Sequence, residues 1–223
     1  MMNRCEPVAE EDGLGYILLM SLNEELLGRS TVKRRSAAKT AVSVGPSACE
    51  ALVQALQIEL TTEHWLTRVE LIKSLGVLKC RNSLTVLQEL VFSNVDNEFD
   101  LVKMQAAKAL VRVSRDSLED YTSVWQIIRS GGYSVTEGAL EAVGYDRMAF
   151  SVEDCESLIK CCWDFGKDRP CGYTDPRYGL AAACAGWPKA IREEFLLHCV
   201  QSGDAPLRYV AENSLRGKFV KLR

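Results

Sequence analysis

One short phrase returns along the chain at nearly constant spacing, and few folds are open to a chain built that way. The copies read Arg68-Val-Glu-Leu-Ile-Lys-Ser-Leu-Gly76, Lys103-Met-Gln-Ala-Ala-Lys-Ala-Leu110, Glu137-Gly-Ala-Leu-Glu-Ala-Val-Gly144, Tyr178-Gly-Leu-Ala-Ala-Ala-Cys-Ala-Gly186 and Arg208-Tyr-Val-Ala-Glu-Asn-Ser-Leu215. Arg34-Arg-Ser-Ala-Ala-Lys-Thr-Ala41 is a weaker first copy. The anchors Ala41, Leu75, Leu110, Val143, Ala185 and Leu215 are 34, 35, 33, 42 and 30 residues apart. A period of that size belongs to supersecondary units that cannot bury an apolar face singly and must stack. The expectation is an all-α fold, an α-solenoid (α-α superhelix) of about six helical pairs. It forms a single repeat domain over 14–223 behind a flexible N-terminus, 1–13.

Each copy divides into a first helix, a turn and a second helix carrying the phrase. In Ser47–Leu60 the residues Ala48, Leu52, Ala55, Leu56 and Leu60 make one stripe at helical period, with Ser47 as N-cap after Gly45-Pro46. Trp65–Leu78 is the partner helix. The later pairs are expected as Ser83–Phe92 with Asp100–Val113, Leu118–Ile128 with Ser134–Val143, and Lys189–Val200 with Ala205–Val220. Pro206 suits a first turn, where no donor is lost. The fifth pair departs from the pattern. Its first helix, Ser151–Trp163, is followed by a long connection over 164–177, which accounts for the 42-residue spacing. Insertions of this kind fall on one edge of a repeat array and are often where it binds.

The second-helix phrase resembles the HEAT-repeat superfamily, especially the bacterial subset called phycobilisome-lyase-type HEAT-like repeats. That pattern runs from an acidic or Pro-containing turn through a Val-Arg pair and two small residues to Ala-Leu-Gly. Asp204-Ala-Pro-Leu-Arg-Tyr-Val-Ala211 and Asp100-Leu-Val-Lys-Met-Gln-Ala-Ala107 carry it best, and Asp175-Pro-Arg-Tyr-Gly-Leu-Ala-Ala182 carries it in part. The resemblance covers about residues 14 to 220 and implies a curved stack whose second helices line the concave side. Such folds mostly serve as protein-binding scaffolds, although a fold by itself does not decide function.

Charge and cysteine usage narrow the classes. Lys+Arg 27 against Asp+Glu 30 gives a net charge of -3, without the basic excess that nucleic-acid partners usually call for. Nine cysteines in a chain of 223 residues is an odd number and does not read as a disulfide framework. Cys49, Cys80, Cys184 and Cys199 are expected as small buried apolar groups, which favours a reducing compartment. The N-terminus is acidic where a secretory leader is basic. The apolar run Leu14–Leu22 is about half a membrane span. These features place the protein in the cytoplasm, with no membrane association.

Candidate binding residues fall into two sets. Trp163, Phe165, Lys167, Arg169, Tyr173 and Arg177 lie in and around the 164–177 connection, where aromatic and arginine anchors meet Gly166 and Gly172. Arg68, Lys103 and Arg208, with Arg34, hold equivalent places near second-helix starts. They are read either as a basic ladder for an acidic partner or as structural residues paired within the turns. Cys155, Cys161, Cys162 and Cys171 lack the paired spacing of a zinc site. His64 and His198 sit in no pattern of neighbouring carboxylate or nucleophile, so no catalytic residue, metal or cofactor is assigned. The reading is a non-enzymatic scaffold or adaptor that binds a partner protein through the concave face and the 164–177 connection, with the oligomeric state open. Resemblance adds two alternatives: a bilin lyase-like or chaperone-like factor for a tetrapyrrole-carrying protein, and a HEAT-like DNA-binding, glycosylase-like protein. The basic clusters Lys33-Arg34-Arg35 with Lys39, and Arg216 to Arg223, are the features that would serve the second.

Overall fold

A computed structural model describes residues 11–93, 100–117, 119–130, 132–167 and 174–222, with backbone only for 11–15 and 165–167. Among the described residues there are twelve α-helices, joined by turns and three short 3₁₀ segments, and no strand. The chain divides into two compact units, Met1–Ser83 and Leu84–Arg223, and the stretch 14–223 read from the sequence spans both. None of the helices is long and apolar enough to cross a membrane.

The first unit holds α1 (Glu11–Leu27), α2 (Thr31–Val44), α3 (Cys49–Glu59) and α4 (Trp65–Leu78). The helix α1 therefore begins inside the stretch read as a flexible N-terminus; residues 1–10 lie outside the described residues. Ser30 caps α2 by accepting the Lys33 amide, and Gly45, at φ 92°, ends it with a conformation that disfavours side chains. Ser47 is not an N-cap: it lies inside the 3₁₀ segment Pro46–Ala48 that leads into α3. The second helices α2 and α4 pack together, with Ala37, Ala38 and Ala41 of α2 and Leu71, Ile72 and Leu75 of α4 buried. The Ser74 hydroxyl donates across this seam to the Ala38 carbonyl at 2.6 Å. Each fully buried leucine contributes roughly 2 kcal/mol by leaving water.

One cysteine expectation is overturned here. Cys49 and Cys80 are joined as a disulfide with Cα atoms 5.4 Å apart, not held as separate thiols. The left-handed turn at Lys79, φ 54°, reverses the chain after α4 and returns Cys80 over the first turn of α3. Spacing along the sequence carries no sign of that reversal. Closing a loop with a separation of 31 residues restricts the unfolded chain by about 4 kcal/mol.

The second unit holds α5 (Leu84–Phe92), α6 (Asp100–Ser114), α7 (Thr122–Ser130), α8 (Tyr133–Tyr145), α9 (Val152–Lys167), α10 (Arg177–Ala183), α11 (Lys189–Val200) and α12 (Ala205–Leu215). Three boundaries differ from expectation by more than two residues, the first being α7, which starts at Thr122 and not at Leu118. The helix α9 runs on to Lys167, so 164–167 is helix and not connection. The helix α12 stops at Leu215 and not Val220, because Gly217 turns the chain at φ 69°. The tail then folds back: the Arg147 guanidinium lies 4.3 Å from the Phe219 ring, and Leu222 is buried.

The second helices form the dense layer of this unit, α6 on α8, α8 on α10 and α10 on α12. Glycine makes the approach close. A Cβ on Gly138 would collide with the Met104 carbonyl oxygen, and one on Gly144 with the Gly179 carbonyl. A Cβ on Gly179 would stand 2.5 Å from the Leu140 carbonyl. Backbone cannot swing aside as a side chain can, so these positions hold the helices at contact distance. Ala106, Ala107, Ala139 and Ala181 to Ala183 fill the same layer with small groups. Of the six anchors, Ala41, Leu75, Leu110, Val143 and Ala185 are buried, whereas Leu215, in the last pair, is only half-buried.

Candidate functional site

The equivalent basic residues hold one register. Arg34, Arg68, Lys103 and Arg208 are each the fourth residue of their helix. Three guanidinium groups make the same contact, donating to the carbonyl six residues earlier: Arg34 to Gly28 at 2.5 Å, Arg68 to Thr62 at 3.3 Å and Arg208 to Ser202 at 3.2 Å. Each acceptor lies in the turn just after the first helix of its pair. A cation there faces the negative end of that helix dipole, which offsets its poor placement near the positive end of its own helix. Arg34 and Arg68 are buried, Arg208 is exposed and Lys103 is half-buried. In the fourth pair the same position is Thr136, fully buried, and the preceding turn is closed by the Ser130 hydroxyl donating to Ile127 at 2.6 Å.

Arg34 also pairs with Glu59, a fully buried carboxylate that accepts the Thr62 hydroxyl at 2.7 Å and lies 3.5 Å from His64 Nδ1. His64 thus has a carboxylate neighbour, supplied by the last residue of α3. Glu59 is enclosed by these partners and serves to lock the pair.

The connection after α9 is resolved into parts. Phe165 and Lys167 sit in the last turn of α9 with side chains outside the described residues, and Arg169, Cys171 and Tyr173 lie wholly outside them. Trp163 and Arg177 are brought together. The Arg177 guanidinium stands 5.3 Å from the Trp163 ring centre while its Nε donates to Asp175 Oδ1 at 2.9 Å and its Nη2 to Oδ2 at 2.5 Å. This bidentate pairing raises the Arg177 pKa and fixes its plane over the indole. On its other contacts Trp163 meets the Phe195 ring edge-on at 5.8 Å and the His198 ring at 4.3 Å.

That cluster forms one end of a groove of about 550 Å³ between two first helices. Its α9 wall is Glu156, Ile159, Lys160 and Trp163; its α11 wall is Ala190, Ile191, Glu194, Phe195 and His198. Sequence reasoning found Trp163, beside the 164–177 connection, but not the rest, because the two walls are distant in sequence and each looks ordinary by itself. The signal was present as Ile159 and Trp163 four apart on α9, and Ile191, Phe195 and His198 at spacings of four and three on α11.

The remaining chemistry is quiet. Burial pushes the thiol of Cys155 up to about 11 and that of Cys199 up to about 12, and carries Cys162 and Cys184 well above the usual range. Cys161 is raised by burial and by Asp164. Among the described residues no three His, Cys, Asp or Glu side chains are placed to hold a metal ion. The Glu137 carboxyl is pushed up to about 7, by burial first and then by Glu141 and Asp100, against a hydrogen bond with Thr174. No family model, curated protein or solved structure matches this chain.

Proposed function

We propose that the chain is a protein-binding α-solenoid of six HEAT-like helical pairs, a cytoplasmic scaffold or adaptor without chemistry of its own. Its partner engages the face around Trp163 and Arg177, together with the connection that follows α9. The observation that carries this reading is the groove between α9 and α11. Half-buried Trp163 is clamped by Arg177 at the end of an open apolar channel, the composition of a binding hot spot and not of a closed core. The second-helix face, through Lys103 and exposed Arg208, adds a further surface to the proposal. Arg68 is taken up by its own turn and contributes stability.

Two features weigh on the alternatives. Carrying a tetrapyrrole on a thiol of this chain would need a thiolate, and burial raises the pKa of Cys155, Cys162, Cys184 and Cys199. A DNA-binding reading leans on Lys33-Arg34-Arg35, and Arg34 is turned inward onto Glu59. The Cys49–Cys80 bond favours an oxidising compartment and so counts against the cytoplasmic placement.

The test is affinity capture from host lysate with mass spectrometry, wild type beside Trp163→Ala/Arg177→Ala. A stoichiometric protein partner that reassembles from purified components and is lost from the double variant supports the reading. A bound small molecule or nucleic acid in place of a protein overturns it.

A further inference from the structure

The groove also states what kind of partner segment it fits. Its floor consists of two facing stripes at helical period, Ile159 and Trp163 on α9, and Ile191 and Phe195 on α11. An amphipathic helix repeats its apolar groups every three to four residues, which matches the roughly 6 Å step along each stripe, and it pairs its own backbone groups, which an extended strand laid between two helices leaves without partners. The rim carries charge of one predominant sign. Glu156 on the α9 wall and Glu194 on the α11 wall are both exposed, and neither forms an ion pair among the described residues. Glu193, beside them, is already satisfied by Lys189 at 3.4 Å. Lys160, one turn from Glu156, is the cation lining the groove.

From this, resting on the protein-binding reading above, we infer that the α9–α11 groove is a dock for a basic amphipathic helix. The apolar face of that helix lies on Ile159, Trp163, Ile191 and Phe195, and its lysines or arginines flank that face to meet Glu156 and Glu194. Carboxylates on opposite walls set a charge pattern that a basic helix complements from both edges, while an acidic helix of the same apolar pattern meets repulsion from both.

The experiment uses the full chain and three fluorescein-labelled peptides of about 14 residues, about 20 Å of helix. One carries Leu at i, i+4, i+7 and i+11 with Lys between, one replaces Lys by Glu, and one scrambles the Leu/Lys sequence so that no apolar face forms. The expected result is saturable anisotropy for the basic amphipathic peptide, with affinity for the other two weaker by about tenfold or more. Glu156→Lys/Glu194→Lys, surface changes checked for retained helicity by circular dichroism, lowers affinity roughly tenfold, and Lys160→Glu raises it. Equal binding of the Lys and Glu peptides, or no response to the charge reversals, overturns the basic partner. Binding of the scrambled peptide as tightly as the amphipathic one overturns the helix. Each of these results leaves a captured protein partner standing, whereas absence of any protein partner in the lysate experiment removes the scaffold reading itself.

Discussion

The second unit contains two helix–helix seams of opposite character. Between α6, α8 and α10 the helices touch backbone to backbone through Gly138, Gly144 and Gly179, and the residues between them are almost all buried. Between α9 and α11 the same kind of helix leaves a groove with Trp163, Ile159 and Ile191 half-exposed and with Glu156 and Glu194 in no ion pair among the described residues. Small residues let the first seam close; large aromatic and branched residues prop the second open. Within this unit, then, the side-chain volume at the contact decides whether two packed helices close on each other or leave a surface open.

The sharpest way to break that contrast is to thicken the closed seam. Gly138→Ala drives a methyl group into the Met104 carbonyl, a fixed backbone atom. We expect a loss of about 2 kcal/mol, overpacking outweighing the roughly 0.5–1 kcal/mol that alanine gains in helix propensity. Gly203→Ala, where nothing lies within 4 Å, is the matched control and should be neutral or slightly stabilising. Urea denaturation of both variants measures the difference. Equal midpoints would mean that α6 and α8 stand further apart than described.

The closed seam also has a titratable marker. Glu137 is buried beside Gly138 on α8, with Glu141 on the same helix and Asp100 at the start of α6 adding negative charge, and its carboxyl titrates at about 7 against an ordinary 4.5. The folded chain therefore binds this proton more tightly than the unfolded chain does. The stabilisation is complete below about 4.5 and is lost as pH rises toward 7 and above it. Wild type should accordingly melt higher at pH 5 than at pH 8 by a margin that shrinks in Glu137→Gln. Thermal scans at the two pH values read the margin, and an unchanged margin would show that Glu137 stays ionised.

How much of this was legible follows the same division. The α4 and α11 boundaries matched expectation residue for residue, because stripes at period 3.6 with turn residues at each end are local signals. The glycines within the recurring phrase, Gly138 and Gly179, were visible too, but their reason was not. Only the neighbouring backbone, some 35 residues away, shows why a Cβ is forbidden. The arginine register was read either as a ladder or as residues paired within the turns; Arg34, Arg68 and Arg208 do bond to the preceding turn, but the shared acceptor is a bare carbonyl six residues upstream, which has no side-chain signature. The Cys49–Cys80 bond depends on the left-handed residue Lys79, which is not glycine and so gave no turn signal. The groove was missed for a different reason. Its walls come from helices 30 residues apart, each ordinary by itself.

The smallest expected effect is the most discriminating for the open seam. Ile159→Ser removes apolar surface that water already reaches, so stability should fall by less than about 1 kcal/mol, against the larger cost at Gly138. The same change strips the α9 wall of the groove and should weaken the basic amphipathic peptide several-fold, with Trp163 still held by Arg177 and Asp175. Parallel urea and anisotropy titrations separate the two readouts. A stability loss as large as that of Gly138→Ala would make the α9–α11 seam part of the core, and the groove would then be a packing defect and not a dock. A small loss with intact binding would move the dock elsewhere on the unit. Because both seams are helix packed on helix, the ratio of stability cost to binding cost, and not either value by itself, says which one is built to be closed and which to be filled.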